Sequence, residues 1–302
     1  MPNFHSRASL KKLLEEKHAK EAAELLKRGE ESRARLEELL EAKRQREEEE
    51  HAKEIEKMKA DAPGKNKDAQ DDWLCGLGFP PKLSNASFAT FDKAGKEKTV
   101  ELAREYCRAF LDGGGDQIYG IVLSSQKYGV GKTHLLHAIA TEIIRNTPAV
   151  RFMDTVTYYT RDGKPVIKPG DPRYAYGNNP VFYMNEVDML TRIRATYNRD
   201  SQENELRVFA ELNKAELLII DDVGKVKPQD LSFVQQVYYR LVEYRWGEEK
   251  HIALATNLVG DDLEKFVGGA VASRLAEMTQ GKYFITMSGE DYRLKGIKNN
   301  AK

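Results

Sequence analysis

The sequence lacks the features that mark secreted, zinc-binding and membrane proteins. It has two cysteines, Cys75 and Cys107, and they stand far apart without C-x-x-C spacing. Because zinc sites and disulfide frameworks need more cysteines at closer spacing, we expect neither. No apolar run approaches the length of a membrane span, and the amino terminus lacks the apolar core of a signal peptide. By elimination, we expect a cytoplasmic protein with reduced thiols.

An excess of charge of one sign is also missing. The chain carries 48 Lys and Arg residues against 48 Asp and Glu residues, so its formal net charge is zero. This balance argues against a strongly basic nucleic-acid binder, and any DNA contact should be local and dependent on an oligomer. The length of 302 residues suits one nucleotide-binding domain with an appendage.

The most informative feature that is present is a glycine-rich turn, GVGKT, at residues 129–133. It follows an apolar run at 118–123 and opens an apolar-periodic run at 135–144, which predicts a strand, a turn and a helix. In such a turn, backbone N–H groups and the helix N-terminus face a phosphate chain. Lys132 should reach the β- and γ-phosphates, and the Thr133 hydroxyl should bind Mg²⁺.

One position departs from the full P-loop pattern G-x-x-x-x-G-K-[ST]. Its first glycine is replaced by Gln126. The alternative, a chance GKT in a loop, is disfavoured by the strand-to-helix context and by the acidic motif described next. The residues expected to contact the nucleotide are Tyr128, Gly129, Val130, Gly131, Lys132, Thr133 and His134.

The second motif is LLIIDD at residues 217–222. Its four apolar residues predict a strand that is buried on both faces, and the two carboxylates follow at the end where ligands bind in open α/β sheets. We expect Asp221 to hold Mg²⁺ through water and Asp222 to orient or deprotonate the attacking water. The alternative is a strand that ends in a solvated acidic turn.

A third apolar strand, at residues 252–255, ends in the polar pair Thr256 and Asn257. A polar tip beside the acidic pair can sense the γ-phosphate, and Asn257 is the first candidate, with Thr256 second. The alternative for Asn257 is an ordinary turn residue.

The last catalytic candidate is Arg274, late in a short helix behind a glycine pair. In an oligomeric ATPase such an arginine can reach a neighbouring subunit's γ-phosphate and stabilise the transition state in trans. The alternative is an arginine on the helix surface with no catalytic role.

The order of apolar segments predicts the fold class. Helical patterns alternate with five strands, which we place near residues 118–123, 180–184, 217–221, 251–256 and 282–287. This alternation predicts an α/β fold with a mostly parallel sheet and helices on both faces. Right-handed crossovers would then bring the P-loop and both aspartates to one edge of the sheet.

The amino-terminal residues 1–62 form a predicted long charged helix that resembles a coiled coil. Leu14, Leu25 and Leu36 recur every eleven residues, which keeps one apolar stripe on a nearly straight helix. This arm can dock a protein partner, and a solvated or self-associating helix explains the pattern equally well. We predict a linker at 63–84 and the compact ATPase domain at 85–302.

Residues 148–179 are a predicted insertion with a hairpin signal at Asp162-Gly163. Tyrosines alternate there with basic residues, which could stack on single-stranded bases and follow phosphates. We favour the alternative, a β-hairpin with tyrosines on a half-buried face. A further turn, at residues 78–81, is a candidate for packing against adenine, or a plain entry into the domain.

Several motifs together resemble one known family. They are GVGKTHL at 129–135, LLIIDDVG at 217–224, ALATNL at 253–258, ASRLAEM at 272–278 and GEDYRLKG at 289–296. The set resembles the AAA+ P-loop ATPases of the bacterial and phage helicase-loader group (DnaC/DnaI type). Transposition helper ATPases of the IstB type share it. The resemblance covers residues 78–296.

The resemblance implies ATP with Mg²⁺, DNA as the working surface, most simply single-stranded, and a homo-oligomer in the ATP-bound form. It also implies a replicative helicase held by the amino-terminal region. Because few residues follow Leu275, we expect no full carboxyl-terminal lid domain, and Arg293 is a minor candidate for a second sensor.

Three functional hypotheses follow from the motifs and the resemblance. The first is an ATP-dependent loader of a replicative helicase, which releases its partner on hydrolysis. The second is an IstB-like ATPase that selects target DNA and recruits a transposase. The third is a nucleotide-gated scaffold with little turnover, which Gln126 and the short Asp222 side chain motivate.

Overall fold

The computed structural model describes residues 7–113, 117–159, 164–225 and 231–293. The chain divides into two compact units, of which the first comprises residues 1–61 and 152–173 and the second residues 62–151 and 174–302. Every helix in the described ranges is too short or too polar to span a bilayer.

Eight α-helices, one 3₁₀ helix (Pro81–Leu83) and seven strands are assigned within the described residues. The helices are α1 (Arg7–Gly76), α2 (Glu97–Leu111), α3 (Lys132–Asn146), α4 (Glu186–Ala195), α5 (Glu205–Lys214), α6 (Leu231–Gly247), α7 (Asp261–Val267) and α8 (Gly269–Met278). The strands are β1 (Gly120–Ser124), β2 (Val150–Tyr159), β3 (Pro165–Tyr176), β4 (Val181–Asn185), β5 (Leu217–Val223), β6 (His251–Thr256) and β7 (Phe284–Thr286).

The second unit is built on a five-stranded sheet with the order β4-β5-β6-β1-β7. Its neighbouring strands pair in parallel throughout. Successive residues of β5 alternate between two buried clusters, with Ile219 packed on one face of the sheet and Ile220 on the other. A strand covered on both faces needs apolar residues at every position, which explains the unbroken LLII run. The predicted α/β fold with helices on both faces is confirmed.

Helix α1 extends further than composition suggests. The composition of residues 63–84 predicts a linker, but α1 continues through Pro63 to its end at Gly76. Proline removes one intrahelical donor, and tertiary contacts override this cost. The buried Gln70 side chain donates through Nε2 to the carbonyl oxygens of Arg145 and Thr147, 3.2 and 2.8 Å away, at the end of α3.

Strands β2 and β3 form a two-stranded sheet apart from the central one. Their position matches the predicted insertion at 148–179. The predicted turn Asp162-Gly163 lies outside the described residues. Within the first unit, Lys59 pairs with Asp154 at 3.0 Å and lies over the ring of Phe152.

Helix α7 has no counterpart among the predicted elements. It spans seven residues, too few to show a helical period in the sequence. No separate helical lid follows β7 within the described residues, which end at Arg293.

Candidate nucleotide-binding site

The glycine-rich turn connects β1 to α3 as predicted. Gly129 and Gly131 have φ angles of 67° and 103°, a region that residues with a side chain rarely adopt. A Cβ atom at Gly131 would lie 2.8 Å from the Phe91 ring, so only glycine fits there. Gln126 is exposed and its φ is not positive, which explains why a glycine is dispensable at that position.

A cavity of about 400 Å³ opens in front of this turn. All seven predicted nucleotide contacts line it: Tyr128, Gly129, Val130, Gly131, Lys132, Thr133 and His134. Asp222, Lys225 and Asn257 line the same cavity from the ends of β5 and β6. The topology therefore brings the P-loop, one acidic residue and the polar strand tip to one edge of the sheet.

Lys132 is the buried cation of the cavity. Its Nζ atom donates to Asn257 Oδ1 at 2.6 Å and to the carbonyl oxygen of Lys127 at 3.4 Å. Burial lowers the pKa of Lys132, while the negative charges of Asp221 and Asp222 act in the opposite direction. The two oxygen acceptors hold the ammonium group at the mouth of the P-loop.

Asp221 lies behind the cavity wall and is 3% exposed. Its carboxylate accepts hydrogen bonds from the side chain of Thr133, from the Tyr183 hydroxyl at 3.3 Å and from the backbone N–H of Asp222 at 2.8 Å. Burial raises the pKa of Asp221, and the hydrogen bond from Thr133 opposes this. The two predicted magnesium-side residues thus meet directly.

This oxygen pair fits a magnesium ion. A carboxylate and a hydroxyl are hard ligands, and Mg²⁺ in nucleotide sites takes its other positions from phosphates and water. Among the described residues there is no group of three or more His, Cys, Asp or Glu side chains that could hold a metal by itself. Thr133 and Asp221 would hold the ion jointly with the nucleotide.

Asp222 has an unusual backbone conformation. Its φ is 59°, and the pairing of β5 with β6 shifts register between Ile220 and Val223. A bulge of this kind redirects a side chain at a strand end. The Asp222 Oδ2 atom contacts Lys225 Nζ at 2.7 Å and Asn185 Nδ2 at 3.5 Å. The proposed base is thus held by two donors.

The two polar residues at the end of β6 have different environments. Asn257 lines the cavity and contacts Lys132, because β6 lies between the P-loop strand β1 and the acidic strand β5. Thr256 is fully buried and its hydroxyl donates to the carbonyl oxygen of Val223 at 2.8 Å. Of the two sensor candidates, Asn257 lines the cavity and Thr256 does not.

The turn at residues 78–81 does not line the cavity. Phe79 instead stacks on Tyr183, with ring centroids 3.9 Å apart, and packs against the core. The next segment, including Leu83 and Ala86, lines the cavity in its place. Of the two interpretations of this turn, the geometry favours the entry into the domain, because a proline-rich turn does not show in the sequence which side faces a ligand.

Two histidines of α3 hold this segment against the P-loop helix. His134 Nε2 lies 3.2 Å from the carbonyl oxygen of Ser87, and His137 Nδ1 lies 2.8 Å from that of Ala86. Burial lowers the pKa of both histidines. This role for His137 was not predicted, since its place in an apolar helix gives no sign of a partner.

Arg274 lies outside the cavity. Its Nε and Nη1 atoms contact Glu243 at 3.0 Å and Glu277 at 3.1 Å, and its guanidinium lies 3.8 Å from the centre of the Trp246 ring. The predicted role in trans stays a prediction. Arg293, by contrast, lines the cavity and its charge lowers the pKa of Lys132.

Comparison with known proteins supports the resemblance. The replicative helicase loader DnaC of Buchnera aphidicola subsp. Baizongia pistaciae is 23% identical over 234 residues, which are 76% of this chain and 79% of the relative. The crystal structure of the DnaC helicase loader matches with a TM-score of 0.50 and 16% identity, over 69% of this chain and all of that chain. The chain shares the fold of the DnaC helicase loader and is similar to DnaC in sequence.

Two further results complete the comparison. A crystal structure of DnaI, 18% identical, covers 71% of this chain and 94% of its own with a TM-score of 0.45. That score is too low to add to the fold assignment, which rests on the DnaC structure. No protein-family profile matches the chain. The similarity to the DnaC/DnaI group expected from the motifs is confirmed.

Proposed function

We propose that the chain binds ATP with Mg²⁺ and hydrolyses it. The observation that carries this proposal is the convergence of Lys132, Thr133, Asp222 and Asn257 on one cavity, with the buried Asp221 hydrogen-bonded to Thr133. Each group has the chemistry that phosphoryl transfer needs: a cation for the phosphates, oxygens for the metal and a carboxylate for the attacking water.

In the proposed reaction, side chains exchange partners within the site. Lys132 leaves Asn257 Oδ1 to bind the β- and γ-phosphates, and the freed Asn257 amide then faces the γ-phosphate. Asp222 must leave Lys225 before its Oδ2 atom can accept a proton from the attacking water, because the ammonium group occupies that oxygen. Magnesium, when bound, neutralises charge on the phosphates.

A turnover assay tests this step. Purified protein is incubated with ATP and Mg²⁺, and phosphate release is followed for the wild type, Lys132→Ala and Asp222→Asn. We expect Lys132→Ala to bind ATP poorly and Asp222→Asn to bind it normally but hydrolyse it slowly. Wild-type turnover in Lys132→Ala would contradict the P-loop assignment.

We infer further that the ATPase loads a replicative DNA helicase. The support is the similarity to DnaC, whose name states this function, together with the stripe of exposed leucines on α1. Leu14, Leu25 and Leu36 are 50%, 69% and 58% exposed. An amphipathic helix with an uncovered apolar stripe suits a groove or a second helix on a partner.

The loading cycle includes DNA and further subunits in this proposal. ATP binding assembles subunits on DNA, most simply on a single strand, and Arg274 of one subunit completes the site of its neighbour. Arg274 would have to leave Glu243 and Glu277 to do so. Hydrolysis then loosens the assembly and releases the helicase.

The test of the in-trans role is Arg274→Ala. This variant should bind ATP and hydrolyse it slowly, and its turnover should no longer rise with protein concentration. If the variant hydrolyses ATP at the wild-type rate as a monomer, the proposed assembly step is wrong. Arg274 would then only form contacts within its own chain.

One observation favours a second candidate function, the nucleotide-gated scaffold. Lys225 and Asn185 both engage the Asp222 carboxylate, which would keep turnover low. A wild-type turnover rate equal to that of Asp222→Asn would favour the scaffold.

The transposition alternative is tested by mixing the protein with purified replicative helicase or with purified transposase from the source cell. Stable binding of the transposase alone would favour this alternative.

A further inference from the structure

Glu186 is a fully buried carboxylate next to the proposed catalytic base. It is the first residue of α4 and 0% exposed. Its Oε1 atom accepts a hydrogen bond from the Tyr238 hydroxyl at 2.6 Å, and its Oε2 atom accepts one from the backbone N–H of Gly224 at 2.8 Å. The backbone N–H of Lys225 donates to it as well.

These backbone donors belong to the tight turn that follows Asp222. The N–H of Lys225 donates to the carbonyl oxygen of Asp222 at 3.2 Å, which closes a four-residue turn with Asp222 at its first position. Glu186 therefore binds the second half of the turn, while Asp222 and Lys225 pair through their side chains at its two ends.

The opposite side of the turn is closed by the polar strand tip. Gly224 has a φ of 81°, and a Cβ atom there would lie 2.4 Å from Leu258 Cδ1. Leu258 directly follows Asn257, whose side chain lies in the cavity. The turn thus contacts Glu186 and the tip of β6, and a side chain at Gly224 would displace Leu258.

Helix α4 does not need Glu186 for its own start. Asn185 is the N-cap, and its Oδ1 atom accepts the N–H of Val187 at 2.9 Å. A buried carboxylate is costly unless it is fully hydrogen-bonded, and here its bonds reach α6 and the turn instead of its own helix. The contacts of Glu186 point to the turn as the structure that it serves.

We propose that Glu186 is a positioning residue that sets the orientation of Asp222 by anchoring the turn at residues 222–225. Asp222 is held with a φ of 59°, a conformation that is costly for a non-glycine residue and persists only where the surroundings impose it. Loss of the anchor lets the turn relax and moves the carboxylate away from the attacking water. This inference rests on the proposed ATPase function.

The main test compares Glu186→Gln with the wild type in ATP turnover and ATP affinity. Glutamine keeps the shape but has one acceptor oxygen in place of two, so it cannot accept from both the Tyr238 hydroxyl and the turn. We expect kcat to fall about ten-fold, because small misplacements of a catalytic group have large effects on rate, while the Kd for ATP changes less than about two-fold. Tyr238→Phe, which removes one anchor of Glu186, should lower kcat in the same direction by less.

Glu211→Gln is the matched control. It makes the same chemical change at a carboxylate that pairs with Arg192 at 2.5 Å, on α5 and outside the cavity lining. Its kcat should equal that of the wild type even if its melting temperature falls. Glu186→Ala is the more severe variant, and circular dichroism shows whether it folds before its kcat is compared.

The outcomes separate this inference from the proposed function. If the wild type and Asp222→Asn turn over ATP equally, the catalytic assignment fails and Glu186 has nothing to position. If Asp222→Asn is slow but Glu186→Gln matches the wild type, only the positioning role is overturned. An equal loss of kcat in Glu186→Gln and Glu211→Gln would also overturn it, since stability alone would then explain the effect.

Discussion

Leu25 and Leu36 in the first unit are 69% and 58% exposed, whereas Leu135 and Leu136 in the second unit are fully buried. Both pairs lie on helices. In α3 the apolar residues pack into the core beneath the sheet. In the arm they face no apolar cluster of the described residues. The same residue type therefore stabilises the fold in one unit and remains exposed in the other.

The two helices also differ in what holds them together. The arm portion of α1 carries exposed i,i+4 ion pairs, such as Lys17 with Glu21 and Arg33 with Glu37. Such pairs contribute only about 0.3–0.5 kcal/mol each. Helix α3 is held by buried side chains that each contribute several times more. The arm is therefore locally stabilised, while the second unit is stabilised by its tertiary packing.

The largest contrast should appear when one leucine is truncated in each unit. Leu136→Ala removes buried methyl groups and leaves a cavity, so the free energy of unfolding should fall by about 2–5 kcal/mol. Leu25→Ala, the matched exposed site, should change it by less than about 0.5 kcal/mol. Denaturant titration measures both. Equal losses would mean that the arm leucine is packed within the chain.

A change of pH should have a large effect on the stability of the second unit. Burial lowers the pKa of His251 to about 4, and its Nδ1 atom has no hydrogen-bond partner. The unfolded state binds the proton first, so stability should be lost as the pH falls from about 6.5 towards 4, by about 3 kcal/mol. Thermal unfolding across this range measures the slope. His251→Phe should flatten the dependence of stability on pH. An unchanged slope in that variant would mean that another group causes the pH dependence.

A smaller effect is expected where α1 contacts the end of α3. Gln70→Ala leaves the carbonyl oxygens of Arg145 and Thr147 without this donor, which should lower the free energy of unfolding by about 1–3 kcal/mol. Gln45→Ala, an exposed glutamine on the same helix, is the control and should have almost no effect. If both variants unfold alike, the Gln70 contacts do not stabilise the fold.

The smallest effect should come from an ion pair of the arm. Arg33 and Glu37 are 3.6 Å apart and largely exposed. Glu37→Gln should change helix content and stability by no more than about 0.5 kcal/mol, and less at high salt. Circular dichroism at two salt concentrations measures this. A larger, salt-dependent loss would mean that the arm relies on its surface charges.

The sequence was sufficient to predict the fold and the P-loop side of the cavity. GVGKT predicted the start of α3 at Lys132, and the unbroken apolar runs predicted the parallel strands, because both signals are local. The roles of Lys132, Asp221, Asp222, Asn257 and Arg274 in catalysis stay predictions.

The remaining features depend on contacts between distant segments. Helix α1 continues through Pro63 because Gln70 reaches α3, and composition alone cannot show such a contact. Asp222, with its left-handed backbone, lies on β5, and its anchor Glu186 lies on α4. Because these elements are far apart in the chain, no spacing in the sequence connects the two residues. The sequence left the role of the turn at residues 78–81 open for the same reason, since the partner of Phe79, Tyr183, is remote in the chain.

The most direct test of the account is the affinity of the source cell's purified replicative helicase for two proteins in ATP and Mg²⁺: the wild type and the double variant Leu25→Asp, Leu36→Asp. The account predicts that the double variant loses at least about ten-fold in affinity, because charges in an apolar interface are costly, while its ATP turnover stays at the wild-type rate. Equal affinity of the two proteins for the helicase, or no binding by the wild type, would contradict the proposed division of labour between the arm and the ATPase unit.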